Sequence, residues 1–425
     1  MPILPKKIDF KDKSKLNEAR AWGKNEEYKW KKNLNLQQQK SVEKLKHEDN
    51  KIKIYDYSKS MNFFSDVVSE IEESETKREV LSDVKRLRES LSTNVLSQDV
   101  LGYAKISQNE LGINYNIRDG FNKISKETIS KIKNQIINKS FKKFDFLEVD
   151  ITSENINSDT PIIVNVRVPM GLNYGIMNSE SNVSLLLDKG FAIQPRNITV
   201  SSIKGKDHIF VDADINNVLD FENAQNVTWG EKNYRDFRSK LTADEANAIS
   251  LYIKRDYQAI NDYLRKVQKP NNKELNKKID LISKALSKKT IPEDVVVYRR
   301  VGLDTFGYPI SHTFDNSDPK VKQKLIDEFI NKWNGKTINN FAYSSTSLSS
   351  TDVSSFQPRK AIFRLTVPKG TKAAYITGFD EYASEKEIIL DKNSNFEIYR
   401  ITPITEIHPG NKFVTKLVID AIVRQ

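Results

Sequence analysis

Cysteine is absent from the sequence, and histidine occurs only four times, at His47, His208, His312 and His408. Without cysteine the chain can form no disulfide, no thiolate metal site and no cysteine nucleophile. No two histidines lie within one helical turn of each other, so a histidine-rich metal site would need residues from distant parts of the chain. We therefore expect neither thiol chemistry nor a bound metal.

Long apolar runs are also missing. No stretch approaches the roughly 18 apolar residues that a membrane-spanning helix needs. The first ten residues carry the basic pair Lys6-Lys7, but no apolar segment of signal-peptide length follows it. The sequence therefore predicts no transmembrane helix, no stable membrane insertion and no signal peptide.

What the chain does contain is typical of a globular protein. Its 425 residues are 29% charged and 38% hydrophobic, with 15 Gly and 13 Pro. This length suffices for two or three domains that each bury a core. The net charge is +11 at pH 7, and most of the positive excess lies in residues 231–425. A positive surface attracts an anionic small molecule, an acidic protein or a nucleic acid, so charge alone leaves these partners open.

A weak internal repeat has a period of about 200 residues, which is far too long for a solenoid and indicates a duplicated domain. In each half, helical patterns come first and strand patterns follow, and a Pro-x-Gly turn ends one strand in both halves. We expect two α+β domains, at residues 1–220 and 221–425. The matching segments are Trp22-Gly23 with Trp229-Gly230, 164–171 with 362–370, 185–189 with 388–392, and 209–213 with 416–421.

The helices of the second half are easily placed. Residues 242–245 (Thr-Ala-Asp-Glu) have the form of a capping box, in which the Thr hydroxyl and the Glu carboxylate each satisfy an orphan backbone amide. A helix is expected from there to Arg265, and two more at 274–287 and 320–333. In the first half, the Lys-, Glu- and Gln-rich residues 11–48 predict one helical run with a solvated face.

The two copies differ at charged positions. When the Leu-Leu-Leu-Asp-Lys and Ile-Ile-Leu-Asp-Lys strands are aligned, two carboxylates and one guanidinium of the second copy have neutral counterparts in the first. If the second copy carries a chemical site, the first has therefore lost it, and a duplicated domain without catalysis commonly serves as a docking module. The pairs are Glu385 with Asn182, Glu387 with Ser184, and Arg299 with Ala104.

Three segments of the second half could carry chemistry: 297–300 (Val-Tyr-Arg-Arg), 343–347 (Tyr-Ser-Ser-Thr-Ser) and 385–387 (Glu-Lys-Glu). Each is a weak signal alone. Carboxylates at i and i+2 share one face of a strand and usually mark its solvated side. Ser-Thr-Ser and Arg-Arg usually reflect strand polarity and surface charge. The order and spacing of the three segments are more specific than any one of them.

An Arg on one strand, a Ser-Thr-Ser about 45 residues later and a Glu-x-Glu about 40 further on resemble the arginine-specific ADP-ribosyltransferases. In more detail, the chain resembles the enzymatic components of actin-modifying binary toxins of the C2 and iota type over nearly its whole length. Residues 256–264 and 400–405 add to this match. The resemblance implies two tandem α+β transferase folds, each with helices packed on two facing β-sheets. It also implies an NAD cleft without a Gly-x-Gly-x-x-Gly fingerprint.

For the second copy the resemblance implies four catalytic residues. Cleaving the nicotinamide-ribose bond of NAD passes through an oxocarbenium-like state, which a carboxylate beside the ribose stabilises. Glu387 fits that role, and Ser345 is expected to hold it by a hydrogen bond. Residues i and i+2 of a strand share a face, so Glu385 is expected beside Glu387, where it orients the target arginine. Arg299 is expected to grip an NAD phosphate.

Further cofactor and target residues follow from the same resemblance. Tyr382, in the loop before the glutamate pair, is expected to recognise the protein target. Ala342 is a departure, because some relatives have an Asn three residues before the first Ser of Ser-Thr-Ser. For Tyr252, an ordinary core position remains an alternative to cofactor contact. The residues expected to contact NAD are Arg299, Arg300, Tyr252, Tyr257, Ser345, Phe356, Arg359 and Glu387.

The resemblance implies an NAD-dependent protein-arginine mono-ADP-ribosyltransferase, a glycosyltransferase acting on NAD, that modifies monomeric actin and blocks its polymerisation. It also implies that the first domain docks on a separate oligomeric pore-forming component. That component would carry the enzyme, released without a signal peptide, into the cytosol of a target cell. The expected partners include neither a metal nor a nucleic acid.

The residues leave other functions open. A transferase of the same family with a different target, or an NAD glycohydrolase whose transfer is incidental, would keep the same motifs. A basic nucleic-acid-binding protein without catalysis would interleave aromatic and basic residues on one surface and give Glu385 and Glu387 no special role.

Overall fold

The structure is a computed structural model that describes residues 7–64, 75–153, 159–179, 182–221, 225–266, 271–309, 311–349, 359–376, 379, 387–408 and 412–425. The chain divides into two compact units between Asn217 and Val218, which we call the first and the second unit. Each unit is described by itself.

Most helices of the first unit precede its strands. The prediction of a single helical run over residues 11–48 is wrong, because the helix is interrupted before Asn35. The Asn35 side chain accepts a hydrogen bond from the Gln38 amide, and the Gln38 side chain accepts one from the Asn35 amide. A capping residue has extended backbone, so it separates two helices. The helices are α1 (Leu16–Lys32), α2 (Leu36–Lys44), α3 (Glu48–Phe64), α4 (Glu75–Leu91) and α5 (Lys126–Ile136).

The strands of the first unit form one hydrogen-bonded path. They are β1 (Lys7–Asp9), β2 (Asp99–Ala104), β3 (Phe141–Lys142), β4 (Leu147–Asp150), β5 (Ile162–Val168), β6 (Gly175–Asn178), β7 (Val183–Leu187), β8 (Phe191–Ile203) and β9 (Lys206–Asn217). Their spatial order is β3-β8-β9-β5-β2-β4-β7-β6, and β1 pairs in parallel with β2.

The second unit begins with helices as well. The Thr242 side chain accepts from the Glu245 amide, and the Glu245 carboxylate accepts from the Thr242 amide, so the predicted capping box is confirmed. The helix expected to reach Arg265 does so through a π-helical turn at Tyr252–Asp256. The other two predicted helices agree with the structure within one residue at each end. The helices are α6 (Gln225–Tyr234), α7 (Ala243–Leu251), α8 (Tyr257–Arg265), α9 (Lys273–Leu286) and α10 (Pro319–Trp333).

The strands of the second unit also form one hydrogen-bonded path. They are β10 (Val295–Val301), β11 (Thr337–Ile338), β12 (Ser344–Ser347), β13 (Ala361–Val367), β14 (Ala373–Tyr375), β15 (Glu387–Leu390), β16 (Asn395–His408) and β17 (Lys412–Arg424). Their spatial order is β11-β16-β17-β13-β10-β12-β15-β14.

Apart from β1, which has no counterpart among the described strands of the second unit, the two units have the same strand order. β5 and β13 each pair in parallel with the last strand of their unit, β9 and β17. Both long strands β8 and β16 shift register by one residue against that last strand. In the second unit, a single register pair, Tyr298↔Ser347, joins the group β11-β16-β17-β13-β10 to the group β12-β15-β14. Two sheets joined at so narrow a bridge can turn to face each other. The predicted fold of two tandem α+β copies is thereby confirmed.

The repeated Trp-Gly pair brings the first helix of each unit close to a strand. A Cβ atom on Gly230 would overlap the ring of Tyr375 in β14, and one on Gly23 would overlap Val183 in β7. Glycine is therefore needed at both places for the close approach of backbone to strand. This packing explains why the sequence repeats the pair.

The second unit packs its helices on one face of β10, β13 and β17. The alternate residues Val295, Val297, Phe363, Leu365 and Ile419 of these strands all lie in one buried apolar cluster with residues of α7, α8 and α9. Such alternation places every second side chain of a strand on the same face. No helix in the described part of the chain is both long and apolar enough to span a bilayer.

Candidate active site

Glu387 opens β15, and β12 holds it in place. The register sets Ser347 directly opposite Glu387 and Ser345 opposite Ile389. Ser345 and Ser347 share a face, so Ser345 lies diagonally across from Glu387, a separation of about 7–8 Å between Cα atoms. The Thr346 hydroxyl donates to the Ile388 carbonyl over 2.8 Å. The Ser-Thr-Ser strand therefore fixes the start of the strand that carries the glutamate.

Arg299 lies on β10 and reaches the same strand. Its Nη1 donates to the carbonyl of Ser345 over 2.6 Å. Withdrawal from water lowers the pKa of Arg299 to about 10, an effect that Tyr252 and Glu387 oppose and that Arg265 and Arg359 reinforce. At neutral pH the guanidinium stays charged. The structure thus brings the predicted residues Arg299, Ser345 and Glu387 together.

Tyr252 is the first residue of the π-helical turn, and Tyr257 is the residue that follows it. The Tyr257 amide donates to the Tyr252 carbonyl, so the five-residue spacing closes one turn and brings the two rings closer to one face than an α-helix would. Tyr252 is 2% exposed, whereas Tyr257 is 52% exposed. The pKa of Tyr252 is raised to about 12, mainly by burial. Nearby Glu387 also raises this pKa, and Arg299 lowers it. Tyr252 is therefore a neutral hydroxyl beside both charged groups.

Arg359 adds a second positive charge near Arg299. The Nη1 of Arg359 donates to the Arg300 carbonyl over 2.8 Å, and Arg359 lies near enough to Arg299 to lower its pKa. Successive side chains of a strand point to opposite faces, so Arg300 is directed away from the face that carries Arg299. A guanidinium group matches phosphate oxygens in pairs. Arg299 and Arg359 are therefore suited to the diphosphate of a dinucleotide.

Three predicted residues, Phe356, Tyr382 and Glu385, lie outside the described residues. At the departure noted in the sequence, Ala342 is fully buried. The Asn340 side chain donates to the Ala342 carbonyl over 2.7 Å and to the Ser344 hydroxyl over 3.0 Å. Asn340 thus braces the strand that carries Ser345.

Sequence reasoning missed Asn261 in α8. Its Nδ2 donates to the Tyr252 hydroxyl over 3.0 Å. Its Oδ1 is buried and accepts no hydrogen bond among the described residues. A buried acceptor of this kind fits the donor groups of a ribose or a carboxamide. The signal was an Asn on the apolar face that α8 forms with Ile260 and Leu264.

Comparison with known proteins identifies the family. The family model of the ADP-ribosyltransferase exoenzymes matches residues 19–217 and again residues 226–425. The chain belongs to the ADP-ribosyltransferase exoenzyme family.

Two solved members of this family cover nearly the whole chain. The enzymatic component C2-I of the C2 toxin from Clostridium botulinum is 42% identical with a TM-score of 0.86, over 99% of this chain and 100% of that one. BECa, an ADP-ribosylating toxin of a binary enterotoxin of C. perfringens solved with NADH, is 29% identical with a TM-score of 0.83, over 98% of each chain.

Two shorter relatives match about half of the chain. The mono-ADP-ribosyltransferase C3 of Hathewaya limosa is 27% identical over 200 residues, which are 46% of this chain and 75% of that protein. The epidermal cell differentiation inhibitor of Staphylococcus aureus is 29% identical over 223 residues, 50% of this chain and 85% of that protein.

Membership in this family makes the chain a mono-ADP-ribosyltransferase that uses NAD. NAD is a substrate here, since its ADP-ribose part is transferred. Among the described residues no cluster of three or more His, Asp or Glu could hold a metal ion. The chemistry that the described residues offer is a carboxylate, a guanidinium pair and neutral hydroxyls, which suits cleavage of a glycosidic bond to a charged leaving group.

Proposed function

We propose that the second unit transfers ADP-ribose from NAD to an arginine of monomeric actin and so blocks polymerisation. The observation that carries this proposal is the Arg299 guanidinium bonded to the Ser345 carbonyl, with Glu387 and Tyr252 within electrostatic reach. The first unit has neutral side chains, Ala104 and Ser184, at the matching strand positions. The catalytic domain is therefore taken as residues 221–425.

In the proposed reaction the bond between C1′ of the ribose and the nicotinamide nitrogen breaks, and nicotinamide leaves with the electron pair. A guanidinium nitrogen of the target arginine then bonds to C1′ and loses a proton. Glu387 stabilises the positive charge that develops on the ribose. Glu385, two residues earlier, orients the target guanidinium, and Ser345 steadies Glu387.

The dinucleotide is held by charge and by aromatic rings. Arg299 and Arg359 pair with the diphosphate, and Arg300 supports Arg359 through its backbone carbonyl. Tyr252, Tyr257 and Phe356 contact the cofactor, and Asn261 adds an acceptor. Tyr382 recognises the protein target.

The first unit, taken as residues 1–220, docks on a separate oligomeric pore-forming component. C2-I is the enzymatic component of a toxin, and BECa belongs to a binary enterotoxin, so a second component is expected for this chain as well. The protein is released extracellularly and acts in the cytosol of the target cell. The similarity to C2-I over the whole chain supports this assignment.

The test is to incubate the protein with labelled NAD and monomeric actin, beside Glu385→Gln and Glu387→Gln variants. Wild type is expected to label actin. Glu385→Gln should lose transfer but keep some NAD hydrolysis, whereas Glu387→Gln should lose both, because only Glu387 acts on the bond that breaks.

Other results would change the proposal in defined ways. NAD cleavage without label on actin would discard the target and keep the enzyme, as for a glycohydrolase or a transferase with another target. Salt-dependent nucleic-acid binding that survives Glu387→Gln, with no NAD cleavage, would discard the enzymatic proposal.

A further inference from the structure

A chain of buried and half-buried polar groups lies on the side of Tyr252 that faces α9. The Tyr343 hydroxyl is 2.8 Å from the Ile279 carbonyl and 2.7 Å from the Ser283 hydroxyl. The Ser283 hydroxyl is in turn 3.0 Å from Oδ1 of Asp391. Tyr343 is fully buried, and Asp391 is nearly so. None of these three side chains has a part in the mechanism proposed above.

We propose that Asp391, Ser283 and Tyr343 form a neutral hydrogen-bonded chain, with a proton on Asp391, that positions Tyr252 for NAD. This inference rests on the proposed function of the second unit. The three are positioning residues, because they act on the cofactor through Tyr252.

Tyr252 and Tyr343 are in direct contact. The rings of Tyr252 and Tyr343 meet edge to face, with centroids 5.4 Å apart and planes at 77°. The hydroxyl of Tyr252 is bonded to Asn261, which belongs to the same helical segment. The ring of Tyr343 therefore connects that segment to the strand of Ser345, since Tyr343 immediately precedes β12. A shift of Tyr343 would move Tyr252 relative to Arg299 and Glu387.

Each oxygen-to-oxygen contact of the hydrogen-bonded chain needs one proton. Three oxygen-to-oxygen contacts, at 2.8, 2.7 and 3.0 Å, link the Ile279 carbonyl, Tyr343, Ser283 and Asp391. Two hydroxyl groups supply only two protons. If Asp391 is ionised, one contact has no proton between its oxygens and is repulsive. If Asp391 is protonated, it donates to Ser283, Ser283 donates to Tyr343, and Tyr343 donates to the carbonyl.

The surroundings of Asp391 shift its titration toward the protonated form. Burial raises the pKa of Asp391, while the Ser283 contact, the Lys392 amide and the charges of Lys392 and Lys372 lower it only in part. On the other side of the chain, Asp280 and Tyr252 are the groups that act on Tyr343, whose pKa burial also raises. No cation among the described residues forms an ion pair with Asp391.

In the first unit, the positions of Asp391, Tyr343 and Ser283 are occupied by Asp188, Phe146 and Arg88. Arg88 Nε lies 3.0 and 3.1 Å from the two carboxylate oxygens of Asp188, so the two side chains form an ion pair. Phe146 is buried and has no hydroxyl. The same framework thus accepts an ion pair and a phenylalanine in the unit that lacks Arg299 and Glu387. The hydroxyl chain occurs in the unit that has them.

The experiment measures KM and kcat for NAD in NAD cleavage, together with NAD affinity by titration, across pH. Tyr343→Phe and Ser283→Ala are each expected to raise KM about fivefold with little change in kcat, the effect of one lost hydrogen bond. In wild type, KM is expected to rise as pH increases through the raised pKa of Asp391, because ionisation removes a proton from the chain. Asp391→Asn carries donor hydrogens at every pH and is expected to abolish this pH dependence.

Two further variants separate positioning from folding. Ser283→Arg combined with Tyr343→Phe reproduces the arrangement of the first unit, so it should keep the melting temperature of wild type and still raise KM for NAD. Arg88→Ser removes the corresponding ion pair in the first unit and should leave KM unchanged.

The outcomes distinguish this inference from the function on which it rests. Wild-type KM values and pH profiles in Tyr343→Phe and Ser283→Ala, while Glu387→Gln is inactive, would overturn the positioning chain alone. Lower melting temperatures with unchanged KM would also overturn it, because the residues would then only stabilise the fold. A wild type that neither binds nor cleaves NAD would overturn both.

Discussion

The two units share the order of eight strands but hold different kinds of residue at one place. In the second unit, β10, β12, β15 and α8 bring together a guanidinium, hydroxyl groups and a carboxylate. In the first unit, the matching elements carry carboxylates where the second has hydroxyls, and an amine where it has an aromatic ring. The pairs are Arg299 with Ala104, Ser345 with Glu148, Ser347 with Asp150, Glu387 with Ser184, Asn261 with Tyr55, and Tyr257 with Lys51.

These residues of the first unit form ion pairs and hydrogen bonds with one another and with their neighbours. The Glu148 carboxylate lies 2.5 Å from Lys51 Nζ, 2.7 Å from Lys105 Nζ and 2.5 Å from the Tyr55 hydroxyl. The neighbouring Asp150 accepts from Ser184 over 2.5 Å and from Asn182 over 2.7 Å. Burial alone would raise the pKa of Glu148, but Lys105 and Lys51 lower it to about 2.

The first unit differs from the second by more than the neutral residues Ala104 and Ser184. Its own cations and carboxylates pair where the second unit presents a guanidinium and a glutamate for a ligand. In this network Lys51 and Lys105 are paired with Glu148, and the two ion pairs link α3 and the end of β2 to β4. Internal pairing of these charges is consistent with the docking function proposed for the first unit.

The largest expected effect comes from replacing Glu387 with serine, which is the residue that the first unit has at the matching position, Ser184. Glu387→Ser should lower NAD cleavage about a thousandfold or more, because the positive charge on the ribose loses its carboxylate. Initial rates with labelled NAD measure this effect. The matched variant Ser184→Ala, in the first unit, should cleave NAD as wild type does. Equal losses in both variants would contradict the assignment of catalysis to the second unit.

Stability of the first unit should depend on Glu148. Glu148→Gln should lower the free energy of unfolding by about 3 kcal/mol, because removing one partner of a buried ion pair leaves Lys51 and Lys105 uncompensated. Urea denaturation measures this change, and NAD cleavage at low temperature should remain. Asp236→Asn, at an exposed carboxylate that pairs with Lys240 and Lys289 in the second unit, is the control and should cost much less, because water screens an exposed ion pair.

The same carboxylate predicts a pH dependence. The folded pKa of Glu148, about 2, lies below the value of about 4.3 in an unfolded chain. Its stabilisation is therefore fully present above pH 4.3 and is lost as pH falls toward 2, an effect of about 3 kcal/mol in all. Urea unfolding of wild type and Glu148→Gln over this range should show the difference between them shrinking. A constant difference would contradict the low pKa.

Arg299→Ala copies Ala104 of the first unit and should act on binding. We expect KM for NAD to rise about thirtyfold, since a charge-assisted pair with phosphate is lost. Arg299→Lys should recover part of the loss as a point charge. Titration with NAD separates this effect from catalysis, and an unchanged affinity in Arg299→Ala would remove Arg299 from the binding site.

The smallest effect should separate the two serines of β12. Ser345→Ala is expected to lower kcat about fivefold if its hydroxyl holds Glu387. Ser347→Ala, directly opposite Glu387 in the register, is the comparison. A larger loss in Ser347→Ala would transfer the positioning role to that residue.

Local patterns in the chain predicted much of this protein. The capping box at Thr242, the helices α9 and α10 and the duplicated order of helices and strands all follow from short-range periodicity and turn chemistry. The positions of Arg299, Ser345 and Glu387 on three strands were also predicted, and the structure brings them together. The break before Asn35 was missed because an Asn inside a polar helical run is a weak signal.

The remaining features depend on residues that are far apart in the chain. Asn261 meets Tyr252 only because a π-helical turn rotates α8, and Ser283, Tyr343 and Asp391 come from a helix and two strand ends. Lys51 and Glu148 meet across almost a hundred residues. Residue types and their spacing therefore identified which copy carries the charged motif. Burial and long-range contact, which no local pattern records, determine which charges pair, which carboxyl keeps a proton and which hydroxyl supports the site.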